Sequence, residues 1–179
     1  LWGRATKGNF PFDELRQQIP DRPDDVLSTV HARLAEGIWH SYHGRTLESL
    51  NVIESAAQMV NESLCINGHT FLVMPMLVRA LRLRAVDLRQ SDPQSCEKLL
   101  RRSLKLAKRG ARFSALFPTA RAFMLRELSE IQRETGRLRS ALKSADKSCR
   151  VAERQQAPYE FAQSKLLRCQ LARKLELPG

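Results

Sequence analysis

The sequence predicts an all-α chain, a right-handed array of about seven helices packed as antiparallel pairs. Three observations predict it. From Asp24 onward apolar residues recur at helical spacing, and alternating β-branched runs, the mark of strands, do not occur. Proline and glycine punctuate the chain regularly. Small side chains fall at matched positions of successive helix pairs, where two helices can approach closely.

Residues 1–22 carry Gly3, Gly8, Pro11 and Pro20 among Trp2, Phe10, Phe12 and Leu15. They read as a loop-rich N-terminal segment with one short helix near 11–18, its aromatics covering the open end of the helices after it. Residues 23–179 read as one helical-repeat domain. Helices are expected near 24–43, 45–64, 70–90, 93–109, 117–135, 137–155 and 158–175. Pro23, Pro75, Pro118 and Pro158 each stand at or near the first turn of a long helix, where the N–H that proline lacks has no partner anyway. Gly44 and Gly136 close two helices and open directly into the next, because glycine accepts the left-handed conformation of a helix C-terminus. Ser91 or Asp92 caps the helix that starts at Pro93. Phe71 to Met74 reads either as a helical turn or as an extended approach to Pro75.

With Gly44 set against Gly136, Arg45 meets Arg137 and Leu50 meets Leu142. Gly37, Ser49 and Ala56 then match Ser129, Ala141 and Ser148. In the middle pair Cys96 and Ser103 keep the same seven-residue separation, and Ser49, Cys96 and Ala141 lie 47 and 45 residues apart. This pattern resembles the tetratricopeptide repeat superfamily, which places small residues at three points of a helix-turn-helix. The resemblance covers residues 24–175 and is to the divergent, long-helix members. The period exceeds the family's usual ~34 residues, and Gln132 stands where an aromatic is expected. It implies stacked helix pairs. The C-terminal stretches Gly136 to Leu142, Ser144 to Ser148, Pro158 to Ser164 and Leu175 to Gly179 are similar to repeats of large multidomain signalling proteins. In those, a kinase or nucleotide cyclase module and a STAND-type ATPase module are joined to helical repeats. The similarity implies a regulatory scaffold rather than a catalytic domain.

With 179 residues, 42% of them hydrophobic and 27% charged, the chain is too apolar for a disordered protein and too short for two large domains. Its longest apolar run, Phe71 to Val78, is broken by Pro75 and falls well short of a membrane span, which needs about 20 residues. The chain begins at Leu1 without a signal peptide and reads as a segment of a longer cytoplasmic protein. Cys65, Cys96, Cys149 and Cys169 lie too far apart for a CxxC site and read as small buried thiols in a reducing compartment.

No catalytic or cofactor chemistry is expected. Neither GxxxxGK[ST] nor GxGxxG occurs, and no GxSxG elbow is present. His40 and His43, with His31 upstream, share a helix face but lack further metal ligands nearby, so they read as polar residues at a helix end. Asp24 and Asp25 sit at a helix start, where unpaired N–H groups favour negative charge.

The net charge is +11, and it is uneven: residues 1–63 hold 6 basic and 9 acidic side chains, residues 64–179 hold 24 and 10. Lys98, Arg101, Arg102, Lys105, Lys108, Arg109 and Arg112 fall on one helical face with no acid among them, while Cys96, Leu99, Leu100, Ser103, Leu104 and Ala107 fill the other. A second stripe runs through Arg139, Lys143, Lys147, Arg150 and Arg154. Both helices are second members of their pairs and are expected on one surface. The stripes read either as a solvated face or as a binding surface for a protein, an acidic peptide or a neighbouring domain. Nucleic acid is the alternative partner, disfavoured for single strands because no aromatics are interleaved with the charges. Trp39, Tyr42, Phe117, Phe123, Tyr159 and Phe161 lie in first-of-pair helices and read either as core or as a ligand groove on the concave side. The expected function is therefore a non-catalytic interaction or regulatory module of a larger signalling or transcription-regulating protein, with a cationic nucleic-acid-binding scaffold as the alternative.

Overall fold

Residues 25–64 and 66–176 are described by the computed structural model, and among them the chain forms seven α-helices and no strand. In order these are α1 (Val26–Tyr42), α2 (Thr46–Glu62), α3 (Val73–Asp87), α4 (Pro93–Phe113), α5 (Pro118–Glu134), α6 (Leu138–Arg154) and α7 (Pro158–Lys174). The expected N-terminal segment 1–22, Pro23 at a helix start, and Cys65 lie outside the described residues.

The ends of the helices follow from their sequences. Asp25 caps α1, its carboxylate accepting the Ser28 N–H at 3.0 Å. Asp92 caps α4 through the Ser95 N–H, also at 3.0 Å. Pro118 and Pro158 occupy the first turns of α5 and α7. Gly44 and Gly136 have φ of +71° and +74°. Each makes the paired reverse bonds of a Schellman motif: Arg45 N–H reaches the His40 carbonyl at 2.9 Å, and Arg137 N–H reaches the Gln132 carbonyl at 2.8 Å. At the end of α6 the same turn is made by Gln156 with φ of +50°. The stretch before Pro75 proves helical. Asn67 Oδ1 accepts the N–H groups of His69 and Thr70, setting a 3₁₀ turn over Thr70–Leu72 that runs straight into α3. One boundary needs correction: α4 continues past residue 109 to Phe113, because Gly110 is buried and packing outweighs glycine's low helix propensity.

The chain divides into two compact units between Cys96 and Glu97, within the first turn of α4. In the first unit, α1 and α2 form an antiparallel pair and α3 packs on α2. Gly37 and Ser49 mark the closest approach of the pair. The Ser49 hydroxyl donates to the Gly37 carbonyl at 2.7 Å, and a Cβ on Gly37 would lie 2.5 Å from Ile53 Cγ1. Leu34, Ile53 and Leu81 of this unit are fully buried. Thr46 at the start of α2 and Arg84 on α3 both bond to Asp87, tying the two helices at one end.

In the second unit α6 is the middle helix, packed against both α5 and α7, and every residue of α5 from Ala122 to Ser129 is buried. The α5–α6 pair repeats the α1–α2 pair at a fixed offset: Val26 and Pro118 are 92 residues apart, as are Thr46 and Leu138. Here the polar partner has changed sides. The Ser129 hydroxyl donates to the Ala141 carbonyl at 2.8 Å. Ser148 donates to the Ala122 carbonyl and meets Ser164 of α7, both at 2.7 Å, so three helices converge on small hydroxyls. Gln132, where an aromatic was expected, is buried and accepts a hydrogen bond from Ser144 at 2.7 Å across the pair. Arg126 crosses from α5 to Glu160 of α7 at 3.0 Å, with Glu127 at 3.7 Å. Burial alone would lower its pKa, but the two carboxylates outweigh burial and the guanidinium is held more firmly charged than usual.

Ala141 is fully buried at the closest point of the α5–α6 pair. Ala141→Leu should overpack that contact and cost about 1–3 kcal/mol. The check is the urea midpoint of unfolding, and an unchanged midpoint would count against the small-residue contact.

Candidate functional site

The seven residues of the first stripe and the five of the second are all exposed. They do not act as one sheet of charge. Lys108 and Arg112 of α4, with Lys147, Arg150 and Arg154 of α6, line a single open groove of about 840 Å³ in the second unit. The structure therefore brings together the C-terminal ends of both stripes. Lys98, Arg101, Arg102, Lys105, Arg109, Arg139 and Lys143 lie outside that lining. The expectation that the first stripe's face holds no acid needs correction: Glu97 pairs with Arg101 at 2.6 Å, one helical turn away. Arg109 lies over its own helix neighbour Phe113, 5.6 Å from the ring centre.

A sixth cation, Arg121 in the first turns of α5, completes the groove. Neither cationic stripe contains it, because it belongs to a first-of-pair helix, and nothing in the local sequence signals its place here. The floor is apolar. Leu125 and Leu128 stand on the face of α5 that also carries Arg121, and Val151 of α6 and Ala111 of α4 adjoin them. Leu125 and Val151 belong to a buried cluster with Ala122 and Ala152, on which Ala111 and Phe161 pack. One carboxylate, Glu153, stands in the lining against six cations. The long stems of these side chains rest on the apolar walls while their charged heads stay in water. A concave, low-dielectric floor beneath one sign of charge concentrates the field on an incoming anion.

The scaffold does not impose this chemistry. At the 92-residue offset, Lys147, Arg150 and Arg154 correspond to Ser55, Gln58 and Glu62 on α2, and Arg121, Leu125 and Leu128 to Thr29, Arg33 and Glu36 on α1. The recess lined by Gly37, Ser49, Ile53 and Met76 in the first unit measures about 10 Å³, room for roughly one water. A second recess in the second unit, about 340 Å³, mixes Arg150, Lys165 and Arg168 with Asp146 and Glu153. Arg168 and Asp146 pair across it at 2.7 Å, and that hydrogen bond and charge raise the guanidinium pKa. Its cations and carboxylates are thus mixed, and one of each is paired within it.

The remaining candidate residues are dispersed. His40 and His43 pack on Trp39, with ring centres 5.2 Å and 4.3 Å away, and Arg45 lies over the same indole. Among the described residues no group of three or more His, Cys, Asp or Glu is placed to hold a metal ion. Phe123 is buried under Arg126, Phe117 and Phe161 are half-buried, and Tyr42 and Tyr159 are exposed, and none of the six aromatics lines the cationic groove. Cys96 and Cys149 are buried, and burial first, then the Asp146 carboxylate, push the Cys149 thiol up. Cys169, expected to be buried, is exposed on α7. No helix among the described residues is long and apolar enough to cross a membrane.

No protein-family model, curated protein or solved structure matches the chain. The functional reading rests on the groove.

Lys147 has Lys143 and Arg150 as helical neighbours and no acid one turn away on α6. Lys147→Gln should therefore stabilise the fold by a few tenths of a kcal/mol, since like charges at this spacing repel by about that amount. Thermal unfolding at low salt reads this directly, and a fall in the midpoint would mean that Lys147 has a structural partner.

Proposed function

We propose that this chain is a non-catalytic interaction module, a divergent tetratricopeptide-like helical array within a larger cytoplasmic signalling or transcription-regulating protein, and that it captures an acidic protein segment. The observation that carries the proposal is the groove itself: six cations from three helices around one apolar floor, with a single carboxylate among them. Mutual repulsion makes such an arrangement unfavourable when empty, and a carboxylate-rich segment offsets it. Matched small residues at the 92-residue offset support the repeat reading.

The groove makes a sharper claim than the stripes alone. Replacing Lys108, Arg112 and Lys147 by Glu should weaken binding of a short Asp/Glu-rich peptide by about tenfold or more, by reversing charge at the lining. Replacing Arg101, Arg102 and Lys105 by Glu should change it by less than about threefold, because those charges act only at a distance and are screened. Both triple variants should keep the circular dichroism of the parent, since all six side chains are exposed. Fluorescence anisotropy at physiological salt decides it. The reverse ranking would move the interface to the outer stripe. Tight binding of duplex DNA under the same conditions, with affinity falling steeply in salt, would favour the nucleic-acid reading instead.

A further inference from the structure

The groove is more than a patch of charge, and its floor says what else an occupant must carry. Leu125, Leu128 and Val151 are each less than a tenth exposed yet form the base of an open groove, with Ala111 beside them. They are held rigidly, because Leu125 and Val151 also belong to the buried α5–α6 cluster. Around this floor stand Lys108, Arg112, Arg121, Lys147, Arg150 and Arg154, all exposed. An apolar centre ringed by polar, solvated side chains is the arrangement in which a single buried anchor residue supplies most of a binding energy. A site for a plain polyanion has no use for such a floor, since carboxylates and phosphates cannot be desolvated against leucine without loss.

Building on the acidic-segment reading, we infer that the groove selects an acidic peptide segment carrying a large apolar or aromatic side chain, seated on Leu125, Leu128 and Val151 and flanked by carboxylates that meet the surrounding cations. Two features of the lining support this occupant. The aliphatic stems of the lysines and arginines extend the apolar floor upward as walls, so an anchor side chain loses water on its sides as well as its tip. At the corresponding positions of α1 and α2, Leu125 and Leu128 are matched by Arg33 and Glu36 and Val151 by Met59, so the apolar floor is broken there, and none of Arg121, Lys147, Arg150 and Arg154 is matched by a cation.

The main comparison changes the ligand and leaves the protein intact, and the one variant used, Lys147→Glu, alters an exposed side chain. Two fluorescein-labelled peptides of equal Asp/Glu content are compared, one with a central phenylalanine and a twin with serine in its place. The phenylalanine peptide should bind about tenfold tighter or better, the size expected for burying most of one aromatic side chain. Its advantage should persist as salt is raised, because apolar burial is not screened while the carboxylate contacts are. Binding of both peptides should weaken in the Lys147→Glu variant. Equal affinities for the two peptides, with both weakened by Lys147→Glu, would overturn the anchor while leaving the acidic-segment reading standing. Affinities indifferent to Lys147→Glu would overturn the groove reading and the anchor with it.

Discussion

The close approach of paired helices across small residues is the constraint on which the rest of this structure depends. At the nearest point of α1 and α2 the pair is Gly37 and Ser49, and at that of α5 and α6 it is Ser129 and Ala141. In each case one side is bare enough to let the backbones meet, and the other carries a hydroxyl that donates to the facing carbonyl. Approach this close shields main-chain oxygen from water, so a hydroxyl there is worth more than another methyl group. The serine can sit on either helix, because the geometry asks only that one member of the pair bear it. Beyond that point apolar packing takes over, through Leu34 and Ile53 in the first unit and Met124 and Ile131 in the second.

The proposed binding chemistry is laid over this scaffold. The same hairpin is built twice, yet only the second carries cations along its second helix. Glu48, Glu54 and Glu62 are the charged residues of α2, whereas α6 bears Arg139, Lys143, Lys147, Arg150 and Arg154 against Asp146, Glu153 and no other acid. Fold and surface charge are therefore separable here. Buried small residues fix where α5 and α6 lie, and exposed positions on those helices and on α4 decide what the groove attracts. The part-buried Arg126–Glu160 pair belongs to the first category: it ties α5 to α7, and the two charges satisfy one another.

Much of the fold was legible because its punctuation is local. Proline at N1 and glycine at C′ act through one or two residues, so the limits of α5, α6 and α7 follow closely from Pro118, Gly136 and Pro158. Where the deciding interaction is tertiary the sequence was a poorer guide. The helix expected near 93–109 runs on through Gly110, which is buried and helical. Gln132 looked like a flaw in the repeat but is satisfied by Ser144 twelve residues away. The groove was half legible. Helical periodicity assembled each stripe, but which cations face one another depends on how α4, α5 and α6 pack, and that brought in Arg121 and the leucine floor while leaving Arg101, Arg102 and Lys105 outside.

The central claim is that the packed α5–α6 pair presents one cationic, apolar-floored groove as the binding surface. Chemical-shift mapping by NMR, with an acidic peptide titrated into the labelled chain, tests it most directly. The account predicts that the largest shifts fall on Lys108, Arg112, Arg121, Lys147, Arg150 and Arg154 and on the methyl groups of Leu125, Leu128 and Val151. Shifts concentrated on α1 to α3, or on Lys98 to Lys105 with the leucine and valine methyls unmoved, would contradict it.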